Sequence, residues 1–299
     1  MKIVLIGSVL SSQIALQAMI DSEYPVDMVF SLGEEYSKDV SGYFPIHETA
    51  MRYNIPFRKF KKIGDKENVD LLREIQPDYI FVIGLSQIVK KEIMDCAKEC
   101  VIGFHPTPLP KYRGRAAMVW QVLLGVHETK ISLFQIDEGM DSGDNLGQED
   151  YVIEDTDYAD AIEDKLNAAL ARLLPKVLQQ MMDGTLKPVK QNEEDAVYLL
   201  IRRPEDGQID WKEPVEKIQR LIRAVARPYP GAFGMYDGEH KIIIWRADYL
   251  ENKRYIGIPG QICEIHDDYF DIVGIDGIIR IKEYENVDQV KLLVGHKLK

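Results

Sequence analysis

Two segments carry residue types at spacings suited to acid–base chemistry. Residues 101–115 read VIGFHPTPLPKYRGR, and residues 131–146 read ISLFQIDEGMDSGDNL. In the first, an apolar run ends on His105. Pro106, Pro108 and Pro110 then stiffen the chain, and Lys111, Arg113 and Arg115 follow within five residues. In the second, an apolar run leads into Asp137, Glu138, Asp141 and Asp144, with Gly139 and Gly143 permitting tight backbone turns. An imidazole beside a carboxylate can donate to a developing oxyanion and relay a proton. Taken singly, each segment has a plainer reading, as a satisfied strand-end histidine or a solvated acidic turn. The D-x-[DN]-x-[DN]-G order of a calcium loop is absent.

Such residues need a scaffold, and the first half of the chain supplies one. Short β-branched runs at 3–6, 26–31, 79–83 and 100–104 alternate with amphipathic patterns at 12–21, 45–53, 65–75 and 116–124. That alternation predicts a doubly wound, mostly parallel α/β sheet covered on both faces. It places His105 at the carboxyl edge of a strand, where ligands bind in open sheets. Two more strands are expected at 130–136 and 149–153, then one long helix over 157–182 stopped by Gly184. The first strand-to-helix turn, Gly7-Ser8-Val9-Leu10-Ser11-Ser12, has one glycine rather than a dinucleotide fingerprint, and no P-loop pattern occurs.

The tail changes character. A helix at 215–225 precedes strand patterns at 232–236, 241–246, 260–265, 269–273 and 278–282, with Asp-Gly and Asp-Asp turns between them. Five short strands predict a small antiparallel barrel. The expected organisation is a catalytic domain over 1–185, a linker over 186–204 and a barrel domain over 205–299.

Composition narrows the classes of function. The chain has 299 residues, 45% hydrophobic and 29% charged, which suits one large or two modest globular domains rather than disorder. Three cysteines, Cys96, Cys100 and Cys263, make no disulfide framework and no zinc spacing. A reducing, cytoplasmic setting is expected. The apolar N-terminus breaks at Gly7-Ser8 and reads as a buried strand rather than a secretory leader. No run reaches the ~18 apolar residues of a membrane span. The net charge of −12 opposes binding to nucleic acid.

H-P-T-P-L-P-K-Y-R-G-R at 105–115 followed by D-E-G-M-D-S-G-D at 137–144 resembles the folate-dependent formyltransferases. That family includes methionyl-tRNA, glycinamide ribonucleotide and nucleotide-linked amino-sugar enzymes. E-D-G-Q-I-D-W at 205–211 and R-P-Y-P-G-A-F at 227–233 extend the resemblance into the tail. It implies a catalytic pair at His105 and Asp141, with N10-formyltetrahydrofolate as formyl donor and no metal. Leu85, Ser86, Gln87 and Ile88, with the Asp137–Glu138–Gly139 turn, match the pterin-contacting segments. One departure bears on catalysis. The family's asparagine two residues before the histidine is Gly103 here, so either Thr107, a backbone N–H or water replaces that side-chain donor to the formyl oxygen, or the chain is slow or inactive.

The resemblance also implies an acceptor amine. The stretch from Gly33 to Asp39 is acidic on balance where the tRNA enzymes carry a basic insertion, and R-P-Y-P-G looks more like the sugar enzymes. The expected acceptor is therefore a UDP- or dTDP-linked 4-amino-4,6-dideoxy sugar of a surface-glycan or pseudaminic-type pathway. Lys111, Arg113 and Arg115 would hold its diphosphate, with Thr107 and Tyr229 also against the substrate. Neither nucleic acid nor membrane is an expected partner, and a homodimer is left open. The alternatives are a methionyl-tRNA formyltransferase and a non-catalytic binder of reduced folate.

Overall fold

β-Branched and aromatic residues fill the strands of the N-terminal half, and the sheet they build is covered on both faces. All five residues of β1 (Ile3–Gly7) and of β2 (Met28–Leu32) are buried. A continuous apolar strand of this kind fits a sheet flanked by helices on both sides. The computed structural model describes residues 1–24, 26–38, 40–252 and 254–299; Asp39 of the acidic stretch therefore lies outside the described residues. Two units are resolved by internal packing. The first takes residues 1–117, 128–152 and 163–200, and the second 118–127, 153–162 and 201–299.

After β1 the chain runs through α1 (Leu10–Asp21), β2, α2 (Ile46–Arg52), β3 (Phe57–Phe60), α3 (Lys66–Ile75), β4 (Tyr79–Ile83) and α4 (Lys91–Met94). It continues with β5 (Cys100–His105), β6 (Arg113–Gly114), α5 (Ala117–Leu123), β7 (Glu128–Gln135), β8 (Asn145–Val152), α6 (Ala159–Met182) and β9 (Tyr198–Leu199). The main sheet has the order β3-β2-β1-β4-β5-β7-β8. The first five strands are parallel, and β7 and β8 are antiparallel additions. Strand β3 has no counterpart among the sequence expectations. Its PFRKF stretch is short and charged, which suits a sheet edge but hides the apolar signal.

The strand order reverses between β1 and β4, where open α/β sheets often take a ligand. Here hydroxyls close that crevice. Ser12 Oγ donates to the Ile83 carbonyl at 2.6 Å, and Ser8 Oγ to that of Gly84 at 2.9 Å. A serine at the helix start therefore occupies the space that glycines leave open in a dinucleotide site.

The second unit contains α7 (Val215–Val225) and strands β10 (Ala232–Tyr236), β11 (His240–Leu250), β12 (Ile262–Ile265), β13 (Phe270–Val273) and β14 (Ile278–Asn286). They form an antiparallel sheet in the order β10-β11-β14-β13-β12. The final residues join its two edges. Met235 and Lys299 exchange backbone hydrogen bonds on the β10 side, and Leu298 N donates to the Gly260 carbonyl beside β12. Leu298 is fully buried at this seam. The sheet is thus rolled shut by residues 295–299, which leaves no long unpaired edge among the described residues. No helix among the described residues is long and apolar enough to cross a membrane.

All three cysteines are free thiols. Burial pushes the thiols of Cys100 and Cys263 up to about 11 each. The thiolate is the reactive form, so alkylation of both in the folded protein at pH 8 should run roughly 100-fold slower than that of free cysteine. Labelling of either at the free-cysteine rate before unfolding would contradict this.

Candidate active site

His105 is the last residue of β5, and the parallel strands β1, β2 and β4 end on the same edge of the sheet. The residue is 7% exposed. Nε2 lies 2.8 Å from the Tyr112 carbonyl oxygen. A carbonyl only accepts, so Nε2 carries the hydrogen and Nδ1 is the nitrogen left to exchange a proton. Nδ1 lies 3.7 Å from Asp141 Oδ2. That separation is too long for a hydrogen bond but short enough for an ion pair once Nδ1 is protonated.

The proline-rich turn after His105 is latched to the antiparallel strands. Ser132 Oγ donates to the Thr107 carbonyl at 2.7 Å, Gln148 Nε2 to that of Leu109 at 2.9 Å, and the Tyr151 hydroxyl to that of Pro106 at 2.9 Å. Thr107 has no exposed surface, and its hydroxyl donates to the Lys111 carbonyl at 2.9 Å. The expectation that Thr107 meets the substrate or replaces the missing amide is therefore corrected: its hydroxyl braces the turn.

Asp141 sits in the left-handed region at φ 52°, which costs a non-glycine residue about 1–2 kcal/mol. Its surroundings hold it there. The Gly114 amide donates to Oδ2 at 2.8 Å. Gly114 has φ 107°, and a Cβ there would come 2.3 Å from the Leu199 carbonyl oxygen, so only glycine fits. Next to it, Arg113 is fully buried and bonded to Gln191, Glu193 and Tyr198. The Glu193 carboxylate raises the guanidinium above its ordinary value, and Arg113 in turn lowers Glu193 below the usual carboxylate range. The reading of Arg113 as a diphosphate ligand is thus corrected. The spacing K-Y-R-G-R looks like a surface cluster, yet its middle cation points inward with its donors already engaged.

Gly103 is buried in β5 opposite Phe134 of β7. Paired residues on antiparallel strands project to the same face, so the Phe134 ring lies over the glycine. A Cβ at 103 would meet Phe134 Cε1 at 2.7 Å, Phe134 Cζ at 2.8 Å and Ile136 Cγ1 at 3.0 Å. The aromatic ring leaves no room for a side chain at this position.

The segments matched to the pterin site lie on the same sheet edge. Leu85 packs against the apolar core, Ser86 is exposed, and Ile88 is 81% exposed. Gln87 is anchored within the fold: Ile63 N donates to its Oε1 at 2.8 Å and its Nε2 donates to the Lys61 carbonyl at 2.8 Å, which leaves one amide hydrogen and one oxygen lone pair for a ligand. In the Asp137–Gly139 turn, the Asp137 carboxylate accepts from Gly139 N and Ser142 Oγ, while Glu138 pairs with Lys91 at 3.7 Å. Lys111 and Arg115 are exposed, and Arg115 NH1 donates to the Ser86 carbonyl at 3.1 Å. Tyr229 belongs to the second unit, in the turn between α7 and β10.

Among the described residues, Glu34, His47 and Glu48 form a group whose possible metal-ligating atoms lie within 4.8 Å of one another. Lys59 Nζ already stands 3.2 Å from Glu34, and a cation would have to displace it. Burial pushes the His47 imidazole down. The sequence reading passed over Phe134, Gln191 and Glu193. The only signal for the first is a bulky aromatic paired with a glycine, which needs the strand register to be seen. Residues 191–193 carry no local motif.

Comparison with known proteins shows the family. Residues 1–178 match the formyl transferase family, and residues 202–292 match the formyl transferase C-terminal domain. The methionyl-tRNA formyltransferase of Clostridioides difficile (strain 630) is 30% identical over 302 residues, covering 100% of this chain and 96% of that protein. Among solved structures, HypX from Aquifex aeolicus in complex with tetrahydrofolic acid aligns with a TM-score of 0.68 and 19% identity, over 95% of this chain but only 44% of HypX. The chain therefore spans less than half of HypX. The N-formyltransferase from Helicobacter canadensis in complex with folinic acid and dTDP-3-aminofucose aligns with a TM-score of 0.70 and 21% identity, over 95% of this chain and 100% of that one. At such identities the structural likeness speaks for the fold. With the family models covering most of its length, the chain belongs to the formyl transferase family of folate-dependent formyl-transfer enzymes.

Proposed function

We propose that this enzyme transfers the formyl group of N10-formyltetrahydrofolate to the amine of a nucleotide-linked amino sugar, with His105 and Asp141 as the catalytic pair. In that reaction a C–N bond forms at the acceptor and the formyl C–N10 bond breaks. His105 Nδ1 is the free imidazole nitrogen, and in its protonated form it stabilises the oxyanion. Asp141 receives the proton the amine gives up, and that proton passes on to N10 of the departing tetrahydrofolate. The exposed Ile88 and the backbone of 84–89 and 137–139 offer an apolar face and a polar edge for the pterin.

The acceptor reading rests on one observation, the negative character of the sheet's carboxyl edge beyond β2. Burial first, and then the carboxylates of Glu34, Glu35 and Glu48, push the Tyr43 phenol up to about 12. Such a field, on a chain of net charge −12, repels a long polyanion. It leaves Lys111 and Arg115 as exposed cations for a single diphosphate. A methionyl-tRNA acceptor is the second reading, favoured by the full-length likeness to the C. difficile relative.

Turnover with N10-formyltetrahydrofolate decides between them. UDP- and dTDP-linked 4-amino-4,6-dideoxyhexoses should be formylated, with a rate only weakly dependent on salt between 50 and 200 mM, roughly the range over which polyanion binding weakens steeply. Faster formylation of charged initiator methionyl-tRNA, falling steeply over that range, would favour the second reading. Folate binding with no turnover on any acceptor would leave only a binding protein.

A further inference from the structure

Asp141 is gripped at both ends, and one of the grips comes from a part of the chain that carries no catalytic motif. Its carboxylate accepts from the Gly114 amide at 2.8 Å. Its carbonyl accepts from Gln191 Nε2 at 2.9 Å, and the same Nε2 donates to the Gly143 carbonyl at 2.6 Å. Gln191 Oε1 accepts from Arg113 Nε at 3.0 Å and NH2 at 2.9 Å. Gln191 is 4% exposed.

Arg113 completes the arrangement. Beyond its two bonds to Gln191, NH2 donates to Glu193 Oε1 at 2.8 Å, and NH1 donates to Glu193 Oε2 at 3.0 Å and to the Tyr198 hydroxyl at 2.9 Å. A guanidinium has five N–H groups, and all five are used. The backbone adds to this. Arg113 N donates to the Val197 carbonyl at 2.8 Å, and β6 pairs with β9. Residues 191–199, expected from sequence to be connector, thus hold the strand that presents Gly114 and the loop that carries Asp141.

We propose that Gln191 is a positioning residue for catalysis: held by Arg113, it fixes the Asp141 loop so that the carboxylate faces His105 Nδ1. This rests on the reading of His105 and Asp141 as the catalytic pair. Both amide hydrogens of Gln191 point at carbonyls of that loop, and both lone-pair sites of its oxygen face Arg113. No other uncharged side chain of that length supplies both functions, and a carboxylate at 191 would set an oxygen against two carbonyl oxygens.

The test uses Gln191→Glu in the full-length enzyme. It keeps the size and the contact with Arg113 and removes the two donations. With the acceptor that gives the highest turnover in the panel above, kcat should fall about tenfold while KM for N10-formyltetrahydrofolate stays within about threefold, an effect confined to the transition state. The pH–rate profile should also change shape, because the pair it reports is no longer held at one separation. In an Asp141→Asn background the same change should cost nothing further, since residues acting through one group are non-additive. Glu194→Gln, at an exposed neighbouring position whose side chain takes no part in these bonds, should leave kcat within about twofold. Should Gln191→Glu fail to fold, Gln191→Met carries the same test. Wild-type kcat and pH profile in either Gln191 variant, with Asp141→Asn inactive, would overturn the positioning role. Wild-type kcat in Asp141→Asn would instead overturn the catalytic reading beneath it.

Discussion

His105→Ala and Asp141→Ala should each lower turnover by about 10²–10³-fold, the range typical of losing an oxyanion donor, while the protein keeps its fold. The reason lies in how few groups serve the reaction. Nε2 of His105 is committed to the Tyr112 carbonyl at 2.8 Å, so Nδ1 alone can meet the oxyanion or exchange a proton. Asp141 Oδ2, 3.7 Å away, is the carboxylate that faces Nδ1. If the two residues work as one unit, as proposed, removing both should cost little more than the worse single loss. Asp141→Asn separates charge from shape. It keeps an oxygen able to accept from the Gly114 amide, so the loop should stay in place while turnover still falls. Steady-state rates on the four variants, with folate binding measured in parallel, check this. A double variant slower than either single by a further factor of about 100 would mean that the residues act independently.

How far the site could be read from the sequence follows from the range of the interactions involved. The parallel sheet was visible because its strands are buried on both faces and read as apolar runs, and His105 marked the end of one of them. Strand β3 was hidden because a sheet edge tolerates the charges of Arg58 and Lys59. The proposed pair, His105 and Asp141, stands in two motifs, each local in sequence. What the motifs could not show was the orientation of their own side chains. Arg113 and Arg115 stand two apart and look alike on paper. Yet Arg113 is buried against Glu193, eighty residues on, while Arg115 is exposed. Thr107 misled in the same way: it is fully buried, and its hydroxyl donates to the Lys111 carbonyl, which only the fold brings near. Gln191 had no signal, because its role comes from contacts 48–50 residues back along the chain.

Gly103→Asn, which restores the family residue, should slow this enzyme by about 10–100-fold and destabilise it by roughly 1–3 kcal/mol, the usual range for overpacking a filled core. A missing donor would suggest the reverse, since regaining an amide at the formyl oxygen is worth about 3 kcal/mol where such donors have been removed. Packing decides the sign. A Cβ at 103 would approach Phe134 at 2.7 Å and Ile136 at 3.0 Å, before the carboxamide is added. Phe134 is 4% exposed and has little room to turn away. Any shift is passed on to His105, two residues along the same strand, and a displacement of about 1 Å at a catalytic group can cost on the order of 10²-fold. Phe134→Leu trims the ring and opens space on the same face. Combined with Gly103→Asn, it should recover most of the lost stability, so that the pair is coupled favourably by about 1 kcal/mol or more. If the amide then reaches the formyl oxygen, the double variant will also turn over faster than Phe134→Leu alone. Melting temperatures and kcat for the four proteins of this cycle settle the matter. A Gly103→Asn single variant as stable as the parent and faster would show that the ring yields and that the donor was simply lost.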